Sequence, residues 1–215
     1  MELSITLTII IATSAISFLG FSNRTLINNL IFYPPAITEN KQWYRFFTCG
    51  LIHADWGHLL FNMYALYLFG APVENAFITI FGENGKLFYF LMYASSLLAC
   101  LLPTFSKHKN DSNYRSLGAS GAVSAVVFAF ILLFPLQKMG LIFIPVMIPG
   151  FIFGLLYLIA STVFEKRAKD NVNHSAHIWG GIYGIVFLTA FGFYLSDYPI
   201  IQQFITDVTG YLKNF

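Results

Sequence analysis

Residues 56–80 read WGHLLFNMYALYLFGAPVENAFITI, and Glu74 is the only Asp, Glu, Lys or Arg among them. At 1.5 Å per residue a helix of that length reaches about 37 Å, enough to cross the roughly 30 Å hydrocarbon core of a bilayer. The run therefore predicts a membrane-spanning helix. His58 and Asn62 inside it then need a reason to be there, because polar side chains within a span are costly and are candidates for function.

The same reading recurs outward from this run. Apolar runs of spanning length predict further helices at about 3–20, 86–105, 118–135, 139–164 and 175–195, making an all-α polytopic membrane bundle of six transmembrane helices. Composition agrees: 57% of residues are hydrophobic and only 10% charged, against about a quarter charged in a soluble domain. With no internal repeat or linker, residues 1–215 read as a single transmembrane domain whose solvent is the lipid bilayer. The first run is expected to be a helix rather than a cleaved signal, since a basic n-region is missing and Glu2 stands in its place. Residues 22–55 mix Tyr33, Pro34, Pro35, Trp43, Tyr44 and Arg45, which suits the headgroup region, and Trp43 and Arg45 read as interfacial anchors. Pro145 and Pro149 predict a kink in the fifth helix, which with the polar segment 165–173 forms the expected movable wall of the bundle. A net charge of +2 without a basic cluster argues against nucleic acid as a partner. Cys49 and Cys100 make neither a disulfide framework nor a CxxC motif.

The polar residues left inside the spans form a short set. His58 and Asn62 are four residues apart, about 40° around a helix, and so share a face. His53 would lie about 140° from His58 on a continuous helix, which assigns it to the preceding loop. Ser120 stands in Gly118-Ala119-Ser120-Gly121 at the start of the fourth run, where first-turn amides lack helical partners and can hold an anion. His177 stands near the start of the sixth run, three residues before Gly180 and on nearly the same side as the small Gly180/Gly184 face on which another helix can pack closely. Alternating topology puts the starts of the second, fourth and sixth helices on one side of the membrane, so Ser120, His177, His58 and Asn62 are expected at one depth. A neutral His177 can take the Ser120 proton, while His58 and Asn62 donate to the resulting oxyanion. Asp and Glu are missing from that depth, so a dyad is expected. Glu74, toward the other end of the second helix, reads as a structural pairing. An ordinary serine in an apolar helix, such as Ser95, is expected to bond back to its own backbone.

In family order, the pieces Arg45 with Trp43 nearby, His53-x4-His58-x3-Asn62, Gly70-x3-Glu74, Gly118-Ala119-Ser120-Gly121 and Ala176-His177-x2-Gly180-x3-Gly184 cover residues 43–184. In these the chain resembles the rhomboid family of intramembrane serine proteases. The resemblance implies a six-helix bundle without cofactor or metal and a membrane-embedded loop at about 22–55. It makes Ser120 the nucleophile and His177 the base, with an oxyanion site from the Ser120 N–H, His58 and Asn62. Substrates would be transmembrane segments of other membrane proteins, unwound into a water-filled cavity. Two departures stand out. Many relatives carry an aromatic residue four positions after the nucleophile, stacked on the catalytic histidine, where this chain has Ser124; and Tyr44 separates Trp43 from Arg45.

Two rival readings belong to other classes. One is a catalytically inactive rhomboid-like protein that binds or escorts membrane clients, disfavoured by the presence of both Ser120 and His177. The other is a metal site or transporter using His53, His58, His174 and His177, disfavoured because His53 and His58 would point apart on a helix. Orientation divides the arguments. Arg24, Lys41, Arg45, Lys107, Lys109, Arg115, Lys166, Arg167 and Lys169 lie on the side of the site against three basic residues opposite, which places the site in the cytoplasm. The resemblance implies a multi-pass protein of a prokaryotic cell membrane whose site opens to the non-cytoplasmic side, and that is the expectation adopted.

Overall fold

Residues 4–140, 146–167 and 172–214 are described by a computed structural model of the chain. The architecture is an all-α membrane bundle. Its long helices are α1 (Ile5–Ser22), α5 (Trp56–Phe81), α6 (Gly85–Ala99), α8 (Ser120–Leu133), α9 (Gly150–Arg167) and α10 (His174–Leu195). Shorter ones are α2 (Arg24–Leu30), α3 (Pro34–Asn40), α4 (Arg45–Thr48), α7 (Leu102–His108) and α11 (Ile200–Lys213). Among the described residues, the stretches Ile5–Ser22, Trp56–His108 and His174–Leu195 are long and apolar enough to cross a membrane. The second of these folds back on itself at Gly82, whose φ of 58° suits glycine alone at little strain, and α6 then packs so tightly on α5 that a methyl group on Gly85 would lie 2.4 Å from the Ile78 Cα.

Helix α8 forms the centre. Its 14 residues span about 21 Å, short of the hydrocarbon thickness, and Ala122, Ala125, Val126 and Ala129 on it are fully covered. A helix that stops short inside a bilayer is stable only where protein or a wet cavity receives its end. Here α5, α6, α9 and α10 surround it. The contact with α10 is backbone on backbone: a methyl group on Gly184 would lie 2.2 Å from the Ala125 carbonyl oxygen. Three of the long helices are capped by side chains at their starts: Ser4 accepts from the Leu7 N–H, Asp55 from the His58 N–H and Asn173 from the Ala176 N–H.

Three expectations change. The fifth helix begins at Gly150, not near 139, because Lys138–Met139 pairs antiparallel with Ile148–Pro149 as a two-residue ladder, β1 with β2. Proline at 149 disfavours helical backbone at Ile148 and cannot donate to a helix, so α9 starts just after it. The expected kink thus has no basis at Pro149, and Pro145 lies outside the described residues; among the described long helices, α5 carries a proline in its interior, Pro72. Arg45 is not an interfacial anchor. It is 6% exposed, and its guanidinium donates to the Asn28 and Ile31 carbonyls and to Gln42 Oε1, tying the segment between α1 and α5 together. Trp43 does remain exposed, beside Phe46 and Phe105. Cys49 and Cys100 are free thiols buried in the small core under this segment, with Phe32, Ile37 and Phe46. The amphipathic α11 was not anticipated; Phe204 on it packs against the main core.

Candidate active site

The turn before α8 sets the site. Gly118 has a φ of 114°, and a methyl group there would lie 2.6 Å from Cε1 of His58, so both backbone and space demand glycine. The Gly118 N–H donates to the Cys49 carbonyl at 2.9 Å, and the Ala119 N–H donates to His53 Nε2 at 3.3 Å. His53 must therefore carry its proton on Nδ1, which donates to Ser17 Oγ at 3.0 Å, and the Ser17 hydroxyl donates in turn to the Leu51 carbonyl. Burial, reinforced by the neighbouring His58, pushes the His53 pKa down to about 3, in keeping with a neutral acceptor. A loop residue thus ties α1 to the turn that presents Ser120.

From that turn, Ser120 opens α8 and its first-turn amides have no carbonyl within the helix to donate to. Ser120 Oγ lies 2.8 Å from His177 Nε2. Ser95 makes the contrast, with its hydroxyl turned back to the Leu91 carbonyl of its own helix. His177 sits in the first turn of α10, which is held by Asn173 and by Glu165, whose carboxylate accepts from the Ser175 N–H at 3.0 Å. Lys107 Nζ is 3.5 Å from the same carboxylate.

Ser120 and His177 line a cavity of about 640 Å³ together with His58 and Asn62, the other two residues singled out in the sequence. Phe61 of α5 and Phe153 of α9 also line it. Asn62 is buried and donates through Nδ2 to the His58 carbonyl at 2.9 Å, so in this state its amide is engaged within α5. Glu74 stands apart from the site, accepting from Ser4 Oγ and from the Ile5 and Thr6 N–H groups at the start of α1. His53 and His58 do not point apart. Because His53 is on a loop that turns back, the two rings meet edge-on with centroids 4.9 Å apart. Among the described residues no group of three His, Cys, Asp or Glu side chains is disposed to hold a metal ion.

Two residues near the dyad have roles that the sequence does not show. His53 reads as a polar candidate on the loop before α5, and its hydrogen bond to Ala119, between positions 66 residues apart, has no local signature. The other is Tyr157 on α9. Its ring lies nearly parallel to the His177 imidazole, 28° between planes and 6.3 Å between centroids, and its hydroxyl is 3.0 Å from Ser124 Oγ. The His174 ring meets the same imidazole edge-on, with centroids 5.7 Å apart.

Comparison with known proteins points one way. The chain matches the family described as Rhomboid domain over residues 40–194. It is 28% identical over 181 residues to "Putative rhomboid protease YdcA" of Bacillus subtilis, covering 80% of this chain and 81% of the relative. It is 30% identical to "Rhomboid-like protein 11, chloroplastic" of Arabidopsis thaliana, covering 73% of this chain and 54% of that protein. With "Rhomboid-related protein 1" of Caenorhabditis elegans it shares 27% identity, over 90% of this chain and 50% of the relative. The chain therefore spans about half the length of the plant and nematode proteins.

Proposed function

This chain belongs to the rhomboid family and is an integral membrane protein, and from that premise we propose that it is an intramembrane serine endopeptidase cleaving transmembrane segments of other membrane proteins. The observation that carries the reading is the 2.8 Å approach of Ser120 Oγ to His177 Nε2 at a cavity within a helical membrane bundle. Nε2 of a neutral His177 accepts the Ser120 proton as Oγ attacks a peptide carbonyl, and the resulting imidazolium returns the proton to the leaving amine. The oxyanion forms beside the first turn of α8, where the Ser120 N–H has no helical acceptor and His58 faces the same cavity. The Asn62 amide joins as a donor by leaving the His58 carbonyl. Water then hydrolyses the acyl-enzyme by the same steps in reverse order.

A substrate helix enters between α5 and α9, whose Phe61 and Phe153 wall the cavity, and must unwind to expose its backbone to Ser120. The site opens to the non-cytoplasmic side of a prokaryotic cell membrane. Burial of Arg45 weakens the contrary argument, since one of the nine basic residues counted against that orientation is consumed inside the protein. A reporter fused to the C-terminus and active only outside the cytoplasm would reverse the assignment.

The test of the function is cleavage of a model transmembrane substrate, together with fluorophosphonate labelling, by detergent-purified wild type and Ser120→Ala. Cleavage and labelling by wild type alone are expected. A folded wild type that neither cleaves nor labels would leave the client-binding reading in its place.

A further inference from the structure

Helix α11 has three faces, and the bundle accounts for one of them. At about 100° per residue, Ile200, Phe204 and Tyr211 fall within about 40° of one another around the helix. Each meets protein: a methyl group on Gly192 of α10 would lie 2.3 Å from Ile200 Cδ1, Phe204 packs against the main core, and the Tyr211 ring meets Phe151 at the start of α9 with centroids 5.8 Å apart. Ile201, Ile205, Val208 and Leu212 occupy roughly the next 60° of the helix. Ile201, Ile205 and Leu212 are 40%, 53% and 58% exposed, so the bundle leaves this stripe uncovered. The remaining arc, about 160° wide, holds the polar residues Gln202, Gln203, Thr206, Asp207, Thr209 and Lys213.

The depth of α11 follows from the helix before it. The 22 residues of α10 run about 33 Å from His174, on the side of the catalytic site, to Leu195, which puts α11 at the opposite surface of the membrane. Phe193 and Tyr194 in the last turn of α10 and Tyr198 just beyond it are exposed, and aromatic residues at the end of a span mark the interface between hydrocarbon and water. Only the four residues 196–199 separate the two helices, so α11 begins at that interface. A helix held there against the bundle meets water along its polar arc and acyl chains along its uncovered apolar stripe.

We propose that α11 is an interfacial helix lying in the plane of the membrane on the side opposite the catalytic site, with its stripe of Ile201, Ile205, Val208 and Leu212 seated among the acyl chains just below the headgroups. Its partner is the apolar layer of the bilayer rather than a charged lipid. Lys213 is the only basic residue of the helix and is balanced by Asp207, which accepts from Gln203 Nε2 at 2.9 Å, whereas recognition of anionic headgroups needs a cluster of Lys and Arg. Through Tyr211 and Phe151 the same helix ties the start of α9 to the membrane surface. The inference stands on the shape of α11 and is independent of the protease reading.

The experiment places an NBD fluorophore on single added cysteines in the purified full chain, reconstituted in nanodiscs of phosphatidylcholine alone or mixed with phosphatidylglycerol. Ile205→Cys and Leu212→Cys report on the apolar stripe, and Gln202→Cys and Thr206→Cys on the polar arc. All four positions are exposed, so each variant should unfold at the wild-type temperature. Cys49 and Cys100 are buried, and the unsubstituted chain gives their background. Dithionite in the water should destroy the fluorescence at 202 and 206 and spare it at 205 and 212, while lipids spin-labelled near the top of the acyl chain should quench 205 and 212 and spare 202 and 206. The pattern should be the same in both lipid mixtures. Equal loss to dithionite at all four positions would overturn the inference, because the stripe would then face water. Protection at 205 and 212 without quenching by the labelled lipids would also overturn it, since a second copy of the chain would then cover the stripe, and so would protection that appears only with phosphatidylglycerol.

Discussion

A methyl group on Gly180 would lie 2.0 Å from the carbonyl oxygen of Gly121, so α10 and α8 touch backbone to backbone one turn beyond His177 and one residue beyond Ser120. The obstacle is backbone, which cannot rotate aside, and the helices must separate if the side chain grows. Misplacement by about 1 Å can cost on the order of 100-fold in rate. Gly180→Ala should therefore lose cleavage to about that extent and unfold at lower temperature. Gly210→Ala is the control, because open space surrounds Gly210 on α11; that change should leave activity intact and stabilise by about 0.5–1 kcal/mol. Equal melting temperatures for wild type and Gly180→Ala would count against the packing argument.

Proton removal and attack by Ser120 are a single event, so the dyad should behave as a unit. Ser120→Ala and His177→Ala should each abolish nearly all turnover, and the double variant should be scarcely worse than either alone. Rates for the three proteins, measured on one substrate, check this. Additive losses would mean that the two residues act separately.

The two oxyanion donors should not be equal. Loss of one such donor typically costs roughly 100- to 1,000-fold. Because Asn62 is already bonded to the His58 carbonyl, part of its contribution is offset by leaving that bond, and Asn62→Ala should fall at the mild end of the range. His58→Ala removes a ring that also packs on Gly118 and should fall at the severe end. The reverse ranking in kcat would contradict this assignment.

Stability should depend on acid through His53. With a folded pKa near 3 and an unfolded value of about 6.5, the unfolded chain binds a proton that the folded protein refuses. Stability should thus fall as pH drops from about 6.5 toward 3, level off below that, and be indifferent to His53 above 7. His53→Gln keeps an acceptor that does not titrate, so its unfolding temperature should vary less between pH 7 and pH 4 than that of wild type. An unchanged slope would show that other groups govern the acid response.

How much was legible follows from the range of each interaction. The spans could be read because the bilayer imposes a length and a polarity that no local preference imitates. Ser120 and His177 could be read because each carries glycines beside it and topology alone puts both at one end of the bundle. Tyr157 could not: the chain has 12 Tyr and 24 Phe, and an aromatic in an apolar run looks alike whether it meets lipid or an imidazole. Arg45 misled because a charged residue between aromatics suits a headgroup equally well, and only the folded segment brings the Asn28 and Ile31 carbonyls around it. Helix α11 escaped because its 14 residues alternate polar and apolar faces and fall short of spanning length.

The clasp between Glu74 and the start of α1 bears on how the molecule is made. The carboxylate takes hydrogen bonds from residues 68 to 70 positions earlier in the chain, so α1 leaves the ribosome well before its partner exists. Until α5 has been inserted, α1 has nothing to dock on through this contact, and until α1 docks, α5 carries an acid in an apolar setting, which is unfavourable. Each helix is thus incomplete without the other. In the folded chain the Glu74 carboxylate is hidden, because the closed N-terminal pair supplies its partners.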